Sequence, residues 1–190
     1  MLEIGLPAAF THAQATAAGI SDRDLARLTA RGELERIARG IYARPDHGAD
    51  PDLLELALRN PATTLCLATA LAHHDLTDEV PSTIHAALPR DQWQPKTAAP
   101  FTWHRFDPAT FDLGRDNRPV LPGISIGIYS PARSIVDAYR LSHLQGIDLA
   151  HHALRRWITQ PGNQPSQLLE LAQSFPRTAT SIRTVLEILL

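Results

Sequence analysis

The chain has 190 residues, of which 44% are apolar and 20% charged, with a net charge of −2. This balance excludes a disordered chain, and no apolar run approaches the roughly 18 residues of a membrane span. Cys66 is the only cysteine, which excludes an internal disulfide and a cysteine zinc cluster. The charge is uneven: residues 11–44 hold six Arg against Asp22, Asp24, Glu33 and Glu35, a net of +2, inside a chain that is acidic elsewhere. A local basic footprint of that modest size predicts salt-sensitive binding to a polyanion, with more than one copy per site. The N-terminus lacks the basic start and apolar core of a signal peptide, so a cytoplasmic protein is expected.

Met1–Phe10 contains Gly5 and Pro7, so any helix there would be very short. Thr11 followed three residues later by Gln14 is a capping box that starts a helix, and Gly19 can adopt the left-handed conformation that ends it. Ser21 with Asp24 reads as a second capping box, with Ile20 and Leu25 placed as a hydrophobic staple around it. The second helix turns Leu25 and Leu28 to the core and carries Arg23, Arg27 and Arg31 on another face, before Gly32 closes it. Ala38-Arg39-Gly40 then reads as the tip of a β-hairpin, with Arg36 and Arg39 beside it.

Two short helices, a glycine turn and a basic hairpin make a winged helix-turn-helix over residues 1–46. Such a second helix has the size and charge to enter a DNA major groove, and a basic hairpin suits phosphate or minor-groove contact. Arginine at every fourth position also occurs on plain solvated faces; the caps, the turn and the hairpin together favour DNA. The candidate DNA-binding residues are Thr11, Gln14, Ser21, Arg23, Arg27, Arg31, Arg36 and Arg39.

Pro45–Pro51 has linker composition, and a second domain is expected over 51–190. Asp50 caps a helix with Pro51 at its first position, running to about Arg59. Leu65–His73 is apolar almost all round and reads as a buried helix; Cys66 within it is a buried thiol. Thr83–Leu88, Phe101–Phe106 and Gly123–Tyr129 alternate as strands, with Ile124, Ile126 and Ile128 on one face and an exposed loop at Gln92–Pro100. Ser130-Pro131 opens a helix to about Leu141; helices at Asp148–Thr159, Ser166–Phe175 and Thr178–Leu190 follow. Three or four strands with flanking helices give an α+β class for the whole: a winged helix-turn-helix, then a small mixed α/β domain with C-terminal helices.

No catalytic or metal constellation stands out. His73-His74-Asp75 are neighbours on a helix and point about 100° apart, so a shared ion is disfavoured. Ser130 reads as a cap, and Arg133 with Asp137 as an intrahelical ion pair worth a few tenths of a kcal/mol. Trp93, Trp103 and Trp157 read as core or loop anchors, and Arg155-Arg156 as a solvated face. There is no glycine-rich phosphate loop and no paired-carboxylate nuclease pattern, so no enzyme and no cofactor is expected.

Five stretches recur together in order: Phe10–Ser21, Arg31–Tyr42, Cys66–Thr77 with its Ala-Leu-Ala-His-His-Asp-Leu-Thr run, His85–Arg90 and Tyr129–Asp137. In these the chain resembles the AbiEi-type antitoxins of type IV toxin–antitoxin systems. The resemblance implies an N-terminal winged helix-turn-helix joined to an antitoxin domain, repression of the antitoxin's own operon through inverted repeats, and action against a nucleotidyltransferase-like toxin. By that analogy Arg23, Arg27 and Arg31 lie on the recognition helix and Arg36 and Arg39 in the wing. The implied partners are operator DNA, the toxin and a second copy in dimeric or cooperative binding, with no membrane. The alternatives are an orphan winged-helix regulator or a protein-interaction module. Similar N-terminal segments also front Vsr-like endonuclease domains; at this length no added nuclease domain is expected.

Overall fold

The computed structural model describes residues 6–190, so Met1–Gly5 and any short helix there lie outside the described residues. The chain forms two compact units. The first comprises the residues up to Thr63 with Pro95–Pro100 and Asn117–Ile126; the second comprises Thr64–Gln94, Phe101–Asp116 and Gly127–Leu190.

In the first unit β1 (Ala9–Thr11), α1 (His12–Ala17), α2 (Asp22–Ala30), β2 (Glu35–Ala38), β3 (Ile41–Ala43) and α3 (Pro51–Arg59) follow in order. The strands form an antiparallel sheet in the order β1-β3-β2, with Phe10 opposite Tyr42 and Arg36 opposite Tyr42 on the other side. Side chains alternate across a sheet, so it has two apolar faces. On one, Phe10 and Leu34 pack with Ala15, Leu25 and Leu28 of α1 and α2, with Ile20 and Tyr42 at the margin. On the other, Ala9 and Ala43 meet Leu54 of α3, with Ile37 and Leu58 alongside. The sheet is thus covered on both faces, and α3 provides a third helix to the module. The expected linker at 45–51 therefore lies within the first unit, because burying Leu54 draws α3 onto the sheet. Asp50 caps α3 as expected, its carboxylate accepting from the Asp52 and Leu53 amides. The 95–100 loop belongs to this unit too: the buried Glu55 carboxylate accepts from the Ala98 amide at 3.0 Å and pairs with Arg59 at 2.9 Å.

The second unit contains β4 (Thr64–Leu65), α4 (Leu67–His73), β5 (Ile84–Pro89), β6 (Phe101–Phe106), α5 (Pro108–Phe111), β7 (Arg115–Leu121), β8 (Ile124–Tyr129), and α6 to α10 at Pro131–Arg140, Ser142–Gln145, Ile147–Thr159, Pro165–Ala172 and Pro176–Leu189. β7 and β8 begin or end in segments assigned to the first unit. The sheet order is β6-β5-β4-β8-β7, with β4–β8 and β5–β6 parallel and β4–β5 antiparallel. α6 is the central helix and touches α4, α8, α9 and α10, whose apolar faces meet around Ile135, Val136, Leu154, Trp157 and Ile182.

The α+β class holds, while several details differ from the sequence reading. Leu65–His73 is not one helix: Thr64 and Leu65 pair with β5 and β8, and the chain turns at Leu67, φ +46°, before the helix runs on. The sheet has five strands. β7 escapes pattern recognition because it is an edge strand with polar residues and Pro119, a residue type that sheets tolerate at their edges. Trp157 is core, but Trp93 is 86% exposed and anchors nothing in the described structure.

Arg133 and Asp137 are not a surface pair. Both are fully buried; Arg133 Nε donates to Asp137 at 3.0 Å, and its Nη1 donates to the Thr110 and Leu113 carbonyls. The guanidinium lies 4.2 Å from the centre of the Tyr129 ring, and Arg140 donates to the other Asp137 oxygen at 3.0 Å. Helix periodicity shows that these residues share a face; it does not show that the face points inward.

Candidate nucleic-acid interface

Two closely similar helix ends set the geometry of the N-terminal module. α1 begins with the expected capping box: Thr11 Oγ1 accepts from the Gln14 amide, and Gln14 Oε1 accepts from the Thr11 amide at 2.8 Å. It ends in a Schellman motif, the Ile20 amide reaching the Ala15 carbonyl and the Gly19 amide reaching Thr16, with Gly19 at φ +80°. α2 repeats that ending at Gly32, φ +70°, through Glu33 to Leu28 and Gly32 to Thr29. Ser21 caps α2 by accepting from the Asp24 amide at 3.2 Å. The return contact of this second cap runs through side chains, with the Ser21 hydroxyl donating to Asp24 Oδ2 at 2.6 Å. Each cap contributes about 1 kcal/mol. One contact crosses the turn, His12 Nε2 to Asp22 Oδ1 at 2.5 Å, and joins the start of α1 to the start of α2.

With about 100° between successive residues, α2 has three faces. Leu25 and Leu28 are buried. Arg23, Arg27 and Arg31 form a separate exposed row; Arg31 sits at the C-cap, still in helical conformation at φ −85°. Asp22, Ala26, Thr29 and Ala30 form the third face and line a cleft of about 460 Å³ whose opposite wall is Arg36 and Tyr42. The three arginines are not equivalent. Arg27 donates to Asp24 at 2.7 Å and Arg31 lies 3.9 Å from Glu33, whereas Arg23 makes no ion pair among the described residues. The Ser21 hydrogen bond holds the Asp24 carboxyl below its usual range, and Arg27 and Arg23 strengthen that pull against the opposing effect of burial.

The wing is the β2–β3 hairpin, with Arg39-Gly40 as its tip and Gly40 at φ +75°. Its carbonyl accepts from the His12 amide at 2.8 Å, which ties the tip to the start of α1 and fixes its direction. Arg36 and Arg39 are exposed and without an ion-pair partner among the described residues. The structure therefore brings Arg23, Arg27, Arg31, Arg36 and Arg39 onto one small module. It assigns Thr11 and Ser21 to capping, their hydroxyls engaged within the helix ends. Gln14 spends its side-chain oxygen on the cap and keeps its amide N–H groups. The cleft residues His12, Thr29 and Tyr42 were not among the sequence candidates. For Thr29 the signal was present in the helical face it shares with 22, 26 and 30; His12 and Tyr42 lie on other elements and join the cleft only because the hairpin folds back opposite α2.

Residues 9–45 match the family model described as "Transcriptional regulator, AbiEi antitoxin". The resemblance read from the sequence is thereby met over the winged helix-turn-helix. No curated protein compared with the chain matches it. Among solved structures, the crystal structure of the RV2827C protein from Mycobacterium tuberculosis superimposes with a TM-score of 0.59 at 19% identity, covering 95% of this chain and 72% of that one. At that identity the likeness is one of fold. No described helix is long and apolar enough to cross a membrane.

Proposed function

We propose that this protein is a cytoplasmic, non-enzymatic DNA-binding antitoxin of a type IV toxin–antitoxin system. In this reading α2 enters the major groove of an operator, Arg23, Arg27 and Arg31 contact bases and flanking phosphates, and Arg36 and Arg39 hold the neighbouring backbone. Gln14 adds a phosphate contact through its amide group, while Thr11 and Ser21 act at the interface by fixing the helix starts whose backbone amides approach phosphates. Copies bind inverted repeats as a dimer or cooperatively and repress the antitoxin's own operon. The second unit supports that assembly and the action against a nucleotidyltransferase-like toxin.

The observation that carries the proposal is the exposed arginine row on α2, turned away from Leu25 and Leu28 and flanked by a basic wing whose tip is tied to α1. The match of residues 9–45 to an antitoxin regulator family supports it. Gel shift on the chain's own promoter region tests the DNA half. Binding that survives both Arg23→Ala and Arg27→Ala unchanged refutes the recognition-helix assignment. Co-expression with a neighbouring nucleotidyltransferase-like gene tests the other half; growth inhibition that this protein fails to relieve removes the antitoxin role.

A further inference from the structure

The arginine face of α2 contains a carboxylate that phosphate clamping does not explain. By helical angle Asp24 projects about 20° from the direction of Arg31 and about 60° from that of Arg27, whereas Asp22 lies about 140° from Arg27 and lines the cleft. Either aspartate satisfies the positive end of the helix, because both lie in its first turn. Only Asp24 also returns the Ser21 cap contact, and it does so at the margin of the arginine row, about 40° from the buried Leu28, where it repels phosphates that the row attracts.

Asp24 is also held in one orientation. Its Oδ2 accepts from Ser21 Oγ at 2.6 Å and its Oδ1 from Arg27 Nη2 at 2.7 Å, so each oxygen retains acceptor capacity and the side chain stays partly exposed. The same contact fixes the Arg27 guanidinium beside it. Residues near the start of a recognition helix are those that reach base edges. In the major groove, guanine offers two acceptors to an arginine, and cytosine offers the amino group that a carboxylate accepts from; the keto oxygens of guanine and thymine repel it.

Resting on the reading that α2 enters a major groove, we infer that Asp24 is a specificity-determining residue, accepting from a cytosine amino group next to the guanine held by Arg27. The Asp24–Arg27 pair then acts as one preset reading unit whose two halves match the two edges of G·C pairs. Arg23, which makes no ion pair among the described residues, is not locked to Asp24 in this way. Asp24 lowers affinity for DNA at large and raises discrimination.

The test is enrichment of sequences from a randomised duplex pool by the full chain, for wild type, Asp24→Asn and Asp24→Ala, with melting temperatures as a folding control. Wild type is expected to enrich a G·C-containing half-site. Both variants are expected to lose about tenfold in preference at one base pair, while binding unrelated duplex more tightly than wild type. Variants that enrich the wild-type sequence with undiminished preference overturn the inference, as does a uniform loss of affinity accompanied by a lower melting temperature. If wild type itself enriches nothing, the DNA-binding reading falls and this inference falls with it; the two failures appear in different arms.

Discussion

Replacing Arg36 and Arg39 together by alanine gives a quantitative test of the wing. Both side chains are exposed, and neither has a carboxylate partner among the described residues, so each brings a full charge to a phosphate. Arg27 and Arg31 have carboxylates at 2.7 and 3.9 Å and bring less. Each neutralised phosphate contributes about 0.9 to the slope of log affinity against log salt concentration. Losing two contacts should therefore reduce the slope by about 1.8 per bound copy. Between about 50 and about 200 mM salt, wild type should lose roughly tenfold more affinity than the double variant. The assay is fluorescence anisotropy on a promoter duplex across that range, with an unrelated duplex as control. The double variant should weaken on both duplexes by a similar factor, because phosphates carry no sequence information. An unchanged slope in a variant that melts like wild type means that the wing does not touch the backbone.

Three further outcomes concern the second unit. Asp137→Ala leaves Arg133 fully buried without its carboxylate and should lower stability by about 3–5 kcal/mol, read as a fall in urea midpoint; a loss below about 1 kcal/mol would show that the carbonyls and ring faces suffice. Gly114→Ala puts a Cβ at φ +64°, 2.8 Å from Arg133 Cβ and 3.0 Å from Ser130 Oγ, so strain and overpacking together should cost about 2–5 kcal/mol; a neutral result would require the start of α6 to yield freely. His85 and His104 share a 3.0 Å hydrogen bond between stacked rings; burial lowers both pKa values, and His104, also disfavoured as a cation by the charges of His85 and Arg140, falls from 6.5 to about 4. The unfolded chain therefore takes up protons that the folded one refuses, so stability contributed above about pH 6.5 is lost on acidification toward pH 4, by about 3 kcal/mol for His104. His104→Gln should flatten the fall in melting temperature across that interval, and parallel curves for the two proteins would count against this account.

What the chain's local chemistry determined is concentrated in residues 11–44. Thr11 with Gln14, Gly19, Ser21 and Gly32 act within a few residues of themselves, through caps and left-handed turns that need no distant partner. The same locality made the Arg39-Gly40 tip legible, along with strand Phe101–Phe106 and the Asp50 and Ser130 caps. Which polar residues face inward was settled by long-range packing. Arg133 and Asp137 have the spacing of a surface pair and become a buried one because Tyr129, Phe175 and the Thr110 and Leu113 carbonyls converge from other elements. Tertiary pairing likewise turned Thr64 and Leu65 into a strand, brought α3 onto the first sheet and set Arg36 and Tyr42 across a cleft from α2. A helical period reports which side chains share a face; what that face meets depends on segments tens of residues away, and no local pattern encodes it.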